Sequence, residues 1–274
     1  MESAGKNAFL PRLIAIDMDG TLLEDEGKTI HPRAAWLIRE ASRRGIRVVL
    51  TSARSFHSAW IYHAELGLAT PLVCYNGAQI LSPRGEELIS LPLEREALLA
   101  LARLAQERGL YAKAFLADRF LVEKATEETY RYSPRYFIPF QAVGSLPAYL
   151  ATHSPPVYSF VIHAPEELLP RLKGEIEEKL PVTCHAPNEH ALHISSHQAS
   201  KLRALEFLAR SEGIRPEETA AIGDGDNDVE MILWAGQGWA VANASPTLRE
   251  AAPQIAPLPT SRGVAWALEK ILGL

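Results

Sequence analysis

Two acidic clusters carry the chemistry of this chain: Asp17-Met18-Asp19-Gly20-Thr21, and Gly223-Asp224-Gly225-Asp226-Asn227-Asp228. Each directly follows a short apolar run, Leu13–Ile16 in the first case and Ala221-Ile222 in the second. Ligands of open α/β sheets bind outside the carboxyl ends of the strands, where these loops would lie. A carboxylate buried there without a partner is costly. Two of them about 4 Å apart repel by roughly 4 kcal/mol at an effective dielectric of 20, a penalty that a divalent cation removes. Oxygen-only ligands select a hard ion, and few protein carboxylates with room for water and phosphate favour Mg²⁺ over Ca²⁺. A calcium loop fails on spacing, because Lys28 and Ala235 stand where a twelfth-position Glu is needed. Taken singly, the first cluster also reads as an Asp-rich turn and the second as a helix N-cap through Asn227 or Asp228. A cap needs one such residue, whereas Asp224 to Asp228 supplies several. Ser52, after another apolar run, and Lys201, at a helix start, add the hydroxyl and ammonium that phosphate oxygens need. Alone, each reads as a turn serine or a solvated lysine.

The elements that must position these residues alternate. Arg12–Ile16, Ile46–Leu50 and Pro71–Tyr75 read as buried strands; Pro32–Arg44 and Ser55–Leu66 read as helices stopped by Gly45 and Gly67. The rhythm returns with a helix over Ser200–Arg210, a strand over Thr219–Ile222, a helix over Asn227–Trp234, a strand over Gly238–Val241 and a helix over Arg262–Leu272. Such alternation specifies an α/β fold, a Rossmann-like doubly wound parallel sheet. Between these halves the order changes. A helix at Glu94–Arg108, a hairpin at Tyr111–Leu116 and Arg119–Glu123, a strand at Tyr158–His163, a helix at Pro165–Leu180 and strands at Val182–His185 and His190–Ser195 predict an inserted α+β module. The expected domains are therefore a core of residues 1–83 and 195–274 and an insertion of residues 84–194.

Composition narrows the partners. The net charge of -5 over 274 residues lacks the basic excess of a nucleic-acid binder, while local donors and a metal would still hold an anionic small molecule. No stretch approaches the roughly 20 apolar residues that span a bilayer. Met1 to Ala8 leads into no long apolar h-region, and Cys74 and Cys184 read as unbridged core residues of a reducing compartment. The expected location is the cytoplasm.

The ordered set Asp17-Met18-Asp19-Gly20-Thr21, Ser52, Lys201 and Gly223 to Asp228 resembles the four motifs of the haloacid dehalogenase superfamily of phosphohydrolases. The insertion is similar to the type IIB cap of its Cof-like branch. The resemblance implies a Mg²⁺-dependent phosphatase that cleaves phosphate monoesters of small metabolites, such as a sugar phosphate, nucleotide, flavin or pyridoxal phosphate, through an aspartyl phosphate. It implies Asp17 as nucleophile and Asp19 as general acid and base. Mg²⁺ would be held by Asp17, the Asp19 backbone carbonyl and Asp224, with Asp228 orienting its waters. Ser52, Lys201, Asn227 and the backbone around Met18 would bind phosphate. Arg54, Asn76 and His193 are weaker candidates for substrate contact. The expected partner is a small phosphorylated metabolite, with neither nucleic acid nor membrane, and the expected state a monomer or homodimer. A sugar-phosphate phosphotransferase or mutase, or a silent phosphometabolite-binding regulator, are the alternatives.

Departures from the family pattern are local. Ser52-Ala53-Arg54 stands where Thr-Gly-Arg is usual, which leaves open whether Thr51 or Ser52 supplies the hydroxyl. Leu202 follows Lys201 where Gly is common, and Ser261-Arg262 replaces an acidic pair. Cys184, His185, His190, His193 and His197 crowd together, yet their spacing matches no common zinc motif and alternate strand residues face opposite ways. Tyr130 to Phe137 interleaves aromatics and arginines; without a basic domain it reads as a segment of the insertion.

Overall fold

The computed structural model describes residues 10–24 and 28–274, so Met1–Ala8 lies outside the described residues. The chain divides into two compact units, one of Met1–Ser52, Tyr62–Leu72 and Lys201–Leu274, the other of Ala53–Ile61 and Val73–Ser200.

In the first unit, parallel strands lie in the order Gln254–Ile255, Gln237–Ala240, Thr219–Gly223, Leu13–Asp17, Arg47–Thr51. Leu13–Asp17 and Thr219–Gly223 are buried along their whole length, as central strands of a parallel sheet covered on both faces are. This explains why they read as unbroken apolar runs and not as alternating ones. Helix Pro32–Arg43 packs on helix Thr260–Leu272, and helix Lys201–Ser211 on helix Val229–Trp234. Pro32 opens the first of these with its ring at a position whose N–H would have no helical partner, while His31 accepts from the Arg33 amide. Strand Leu13–Asp17 is flanked on one side by the strand next in sequence and on the other by Thr219–Gly223. A reversal of strand order of this kind opens the crevice where α/β folds bind ligands.

The second unit holds a six-stranded sheet in the order Val182–Asn188, Ala191–Ser196, Ser159–His163, Tyr111–Phe115, Phe120–Val122, Phe140–Ala142. Its pairs are antiparallel except the last. Period-2 alternation sends Ala112, Ala114, Phe160, Ile162, Leu192 and Ile194 into one core with Leu98, Leu101, Leu150 and Leu172 from helices Arg95–Glu107, Leu146–His153 and Leu169–Lys179. Tyr111, Lys113 and Phe115 face the opposite side and meet helix Glu127–Arg135 through Thr129, Glu128 and Tyr132. The aromatic- and arginine-rich stretch of the insertion thus lies largely on a helix. Its N-terminus carries a capping box made by Thr126 and Thr129, in place of the usual Glu or Gln at the third position, and Pro134 sits in its last turn.

His163, on the same side of that sheet, has its Nε2 buried without a hydrogen-bond partner and its ring 5.4 Å from that of Tyr111. Burial first, and then the neighbouring Lys113 ammonium, push its pKa down to about 4, against the smaller opposing pull of Glu128. The folded protein therefore binds fewer protons at this ring than the unfolded chain between about pH 6.5 and pH 4, so stability falls as the pH is lowered through that window. We expect His163→Gln to remove about 2 kcal/mol of the difference in unfolding free energy between pH 7 and pH 4.5, measured by urea denaturation. An unchanged difference would mean that the ring is not held neutral.

Candidate active site

The register decides which residues meet. Ile16 lies opposite Ile222 and Asp17 opposite Thr51, so Asp17 leaves its strand between the ends of two parallel neighbours. The chain then turns tightly: the Met18 carbonyl accepts from the amides of Thr21, Leu22 and Leu23 at 3.3, 2.9 and 2.9 Å. Met18 is buried beneath this turn, whereas Asp19 is exposed. Gly20 has φ +82°, and a Cβ on it would lie 2.2 Å from Asp224 Oδ2. No side chain fits there, because the Asp224 carboxylate occupies that place. Thr21 Oγ1 donates to Asp224 Oδ1 at 2.5 Å and joins them directly.

Lys201 opens helix Lys201–Ser211 and is buried. Its Nζ donates to Asp17 Oδ1 at 2.5 Å and to Asp228 Oδ1 at 2.6 Å. Asp228 Oδ2 accepts from the backbone amides of Asp224 and Gly225 at 3.0 and 2.9 Å, which folds the second loop around it. Carboxylate oxygens of Asp17, Asp224 and Asp228 lie within 4.8 Å of one another. Burial raises the Asp17 carboxyl well above the usual range, and the charges of Asp228 and Asp224 add to this against the pull of Lys201. Asp224 is pushed up to about 6, again chiefly by burial and against the Thr21 hydrogen bond. For Lys201, desolvation alone would favour the neutral amine, but the two carboxylates outweigh it and raise its pKa. One ammonium among three carboxylates leaves an excess of negative charge and oxygen donors only, with Asp224 drawn in against the Gly20 backbone. That donor set suits a small divalent cation.

Ser52 and Thr51 are both fully buried. Thr51 Oγ1 lies 4.0 Å from Met231 Sδ, toward helix Val229–Trp234. Asn227 sits half-buried in the turn Asp226–Asp228 beside the carboxylates. Among the residues expected to touch substrate, Arg54 and His193 come together. In the second unit they line a cavity of about 20 Å³ with Tyr75, Tyr132 and Tyr136, room for about one water. Arg54 stacks over the Tyr136 ring at 5.0 Å. Asn76 is buried in a turn of left-handed backbone, φ +55°, and is not in that lining. The histidine-rich stretch splits as strand alternation requires: Cys184 enters the core, while His185 and His193 pair across the sheet on its other side. Among the described residues, Asp17, Asp224 and Asp228 form the cluster close enough to share a metal ion.

Two residues escaped sequence reasoning. Asn243 donates through Nδ2 to the Gly20 carbonyl at 2.8 Å, and Ser245 donates through Oγ to Asp226 Oδ1 at 2.5 Å. Both follow strand Gln237–Ala240, a third strand end beside the acidic ones, and that position was the available signal.

The chain is similar to known proteins over most of its length. The family model for haloacid dehalogenase-like hydrolases matches residues 14–268. The chain is 28% identical to the 5-amino-6-(5-phospho-D-ribitylamino)uracil phosphatase YitU of Bacillus subtilis, with 96% of this chain and 98% of the relative covered. It is 26% identical to the pyridoxal phosphate phosphatase YbhA of Escherichia coli, over 87% and 90% of the two chains. A solved haloacid dehalogenase-like hydrolase from B. subtilis superposes with a TM-score of 0.85 at 25% identity, covering 94% of this chain and 99% of the other.

Proposed function

The chain belongs to the haloacid dehalogenase-like hydrolases and is a hydrolase of phosphate monoesters, and on that premise we propose that it is a Mg²⁺-dependent phosphatase of small metabolites with Asp17 as its nucleophile. The observation that supports this reading best is the clustering of Asp17, Asp224 and Asp228 within 4.8 Å around the Lys201 ammonium. Bound Mg²⁺ would lie among Asp17, Asp224 and the Asp19 carbonyl and supply positive charge to the transferring phosphoryl group. Asp228, whose oxygens are engaged by Lys201 and two backbone amides, would orient the ion's waters.

In the proposed reaction an Asp17 oxygen attacks phosphorus in line while the P–O bond to the leaving group breaks. Asp19 gives its proton to the departing oxygen, so the alcohol leaves neutral. Asp19 then takes a proton from water, whose oxygen attacks the same phosphorus. The bond to Asp17 breaks, and inorganic phosphate is released with Asp19 protonated again. Asp19 is exposed, as a group that meets both substrate and water must be. Lys201, Ser52, Asn227 and the backbone around Met18 would hold the phosphoryl oxygens, since a loose transition state is stabilised mainly by position and charge. The Thr51 hydroxyl is directed at Met231, which favours Ser52 for this role.

Residues 84–194 would form the cap that selects substrate, with Arg54, Asn76 and His193 as candidate contacts. The relatives named for a phosphoribitylamino-uracil and for pyridoxal phosphate support a small phosphorylated metabolite as substrate. Two buried free cysteines support action in a reducing cytoplasm. The direct test is phosphate release over a panel of sugar phosphates, nucleotides, and flavin and pyridoxal phosphates, with Mg²⁺ and with chelator. We expect release from at least one of them, lost on chelation. Release that survives complete metal removal would reject the magnesium assignment, and no release from any ester would reject the function.

A further inference from the structure

The segment from Val241 to Ser245 ties both acidic loops to one backbone. The Val241 amide donates to the Gly223 carbonyl at 3.1 Å, the Ser245 amide to the Asp224 carbonyl at 2.8 Å, and Ser245 Oγ to Asp226 Oδ1. Those contacts hold the loop of residues 223–228. The first loop is held differently. Its link to this segment is the Asn243 side chain, whose Nδ2 donates to the Gly20 carbonyl while its Oδ1 accepts from the Thr260 amide at 2.9 Å. Thr260 is itself fixed in left-handed backbone, φ +47°, at the start of helix Thr260–Leu272. The Ala242 amide bonds the Leu258 carbonyl next to it at 3.1 Å. Asn243 thus transmits the position of a rigid helix start to the Gly20–Thr21 peptide, one residue beyond Asp19.

The need for such a tie follows from charge and chain geometry. Like charges drive the two loops apart, and Gly20, with φ +82° and no side chain, is the most pliable point of the first. Thr21 anchors the far side of Gly20 to Asp224. Between the buried Asp17 and this anchor stands the exposed Asp19, bridged through its backbone to Leu23. We infer that Asn243 is a positioning residue that sets where the Asp19 carboxyl stands against the leaving-group oxygen. The inference rests on the role proposed above for Asp19. It assigns Asn243 no contact with substrate and no share in holding the metal.

A misplaced general acid matters most when the leaving group needs a proton. An alkyl phosphate expels a strongly basic alkoxide, whereas p-nitrophenyl phosphate expels a weakly basic phenolate. The Asn243→Ala variant should therefore lose about 10- to 100-fold in kcat on an alkyl phosphate substrate and less than about 3-fold on p-nitrophenyl phosphate. Mg²⁺ affinity, measured by calorimetry on the free protein, should stay within about 3-fold of wild type, because the Asp17 and Asp224 carboxylates keep their contacts and only the Asp19 carbonyl is loosened. Asn243→Asp retains the acceptor for the Thr260 amide and loses the donor to Gly20; it should show the same selective loss. Equal losses on both substrates, or wild-type selectivity in Asn243→Asp, would overturn the positioning role, as would a collapse of Mg²⁺ affinity. Asn243 is exposed, so its truncation opens no cavity, and both variants should melt within a few degrees of wild type. Wild-type protein assayed beside them separates the two ideas. Absence of any Mg²⁺-dependent hydrolysis there defeats the proposed function, and its presence without the selective loss defeats only the assignment of Asn243.

Discussion

Replacement of Asp17 by Asn is expected to reduce phosphate release to background, a loss of at least about 10⁴-fold, on every substrate the wild-type protein accepts. The substitution keeps shape and removes one charged oxygen nucleophile. An amide in that place neither attacks phosphorus at a useful rate nor accepts the same charge from Lys201, whose Nζ stands 2.5 Å from Asp17 Oδ1. The fold should tolerate the change. Asn is isosteric with Asp, its Oδ1 can still accept from Lys201 Nζ, and that ammonium keeps Asp228 as its charge partner at 2.6 Å. The decisive combination is abolished turnover with an unchanged melting temperature. Retained turnover would remove Asp17 from the reaction, whatever the substrate.

Lys201→Met should have the second-largest effect, and of a different kind. The Lys201 ammonium is buried and is the charge partner of both Asp17 and Asp228, at 2.5 and 2.6 Å. Removing one member of a buried ionic set leaves the others uncompensated, at a cost of about 3–5 kcal/mol. In a domain of this size that corresponds to a drop of roughly 6–20 °C in melting temperature. Turnover should fall by at least about 10³-fold, because a cation at the phosphoryl oxygens is lost together with the one that screens the nucleophile. Saturating Mg²⁺ should restore part of the stability and little of the rate, since an added cation relieves carboxylate repulsion without replacing an ammonium fixed by its helix. A variant as stable as wild type without metal would show that the Lys201 pairs contribute nothing to the fold.

Much of this site was legible before any coordinates. The acidic loops announce themselves because a strand buried on both faces reads as an apolar run, and two such runs each end in more carboxylates than a turn or a helix cap needs. Leu13–Asp17 and Thr219–Gly223 are strands of this kind. Element types in the core followed from the same local periodicity. In the second unit, helix Leu146–His153 was missed although Ser145 caps it and Pro147 lies in its first turn. Its apolar residues are spread around the helix and form no single stripe. Helix Glu127–Arg135 was missed because its one fully buried residue is a threonine and its faces are aromatic and charged.

Local pattern fixed which residue types stand at which strand end, and with them the chemistry open to this chain. Tertiary structure decided which ends are neighbours. Asp17 and Asp224 meet because Leu13–Asp17 pairs in register with a strand more than 200 residues later, and the Thr51 hydroxyl turns to Met231 because of that same packing. Asn243 reaches Gly20 for the same reason. Sequence periodicity follows the chain over a few residues, whereas sheet order and register are set by burying all the strands at once. Contacts between residues this far apart are therefore encoded in the whole sequence and in no segment of it.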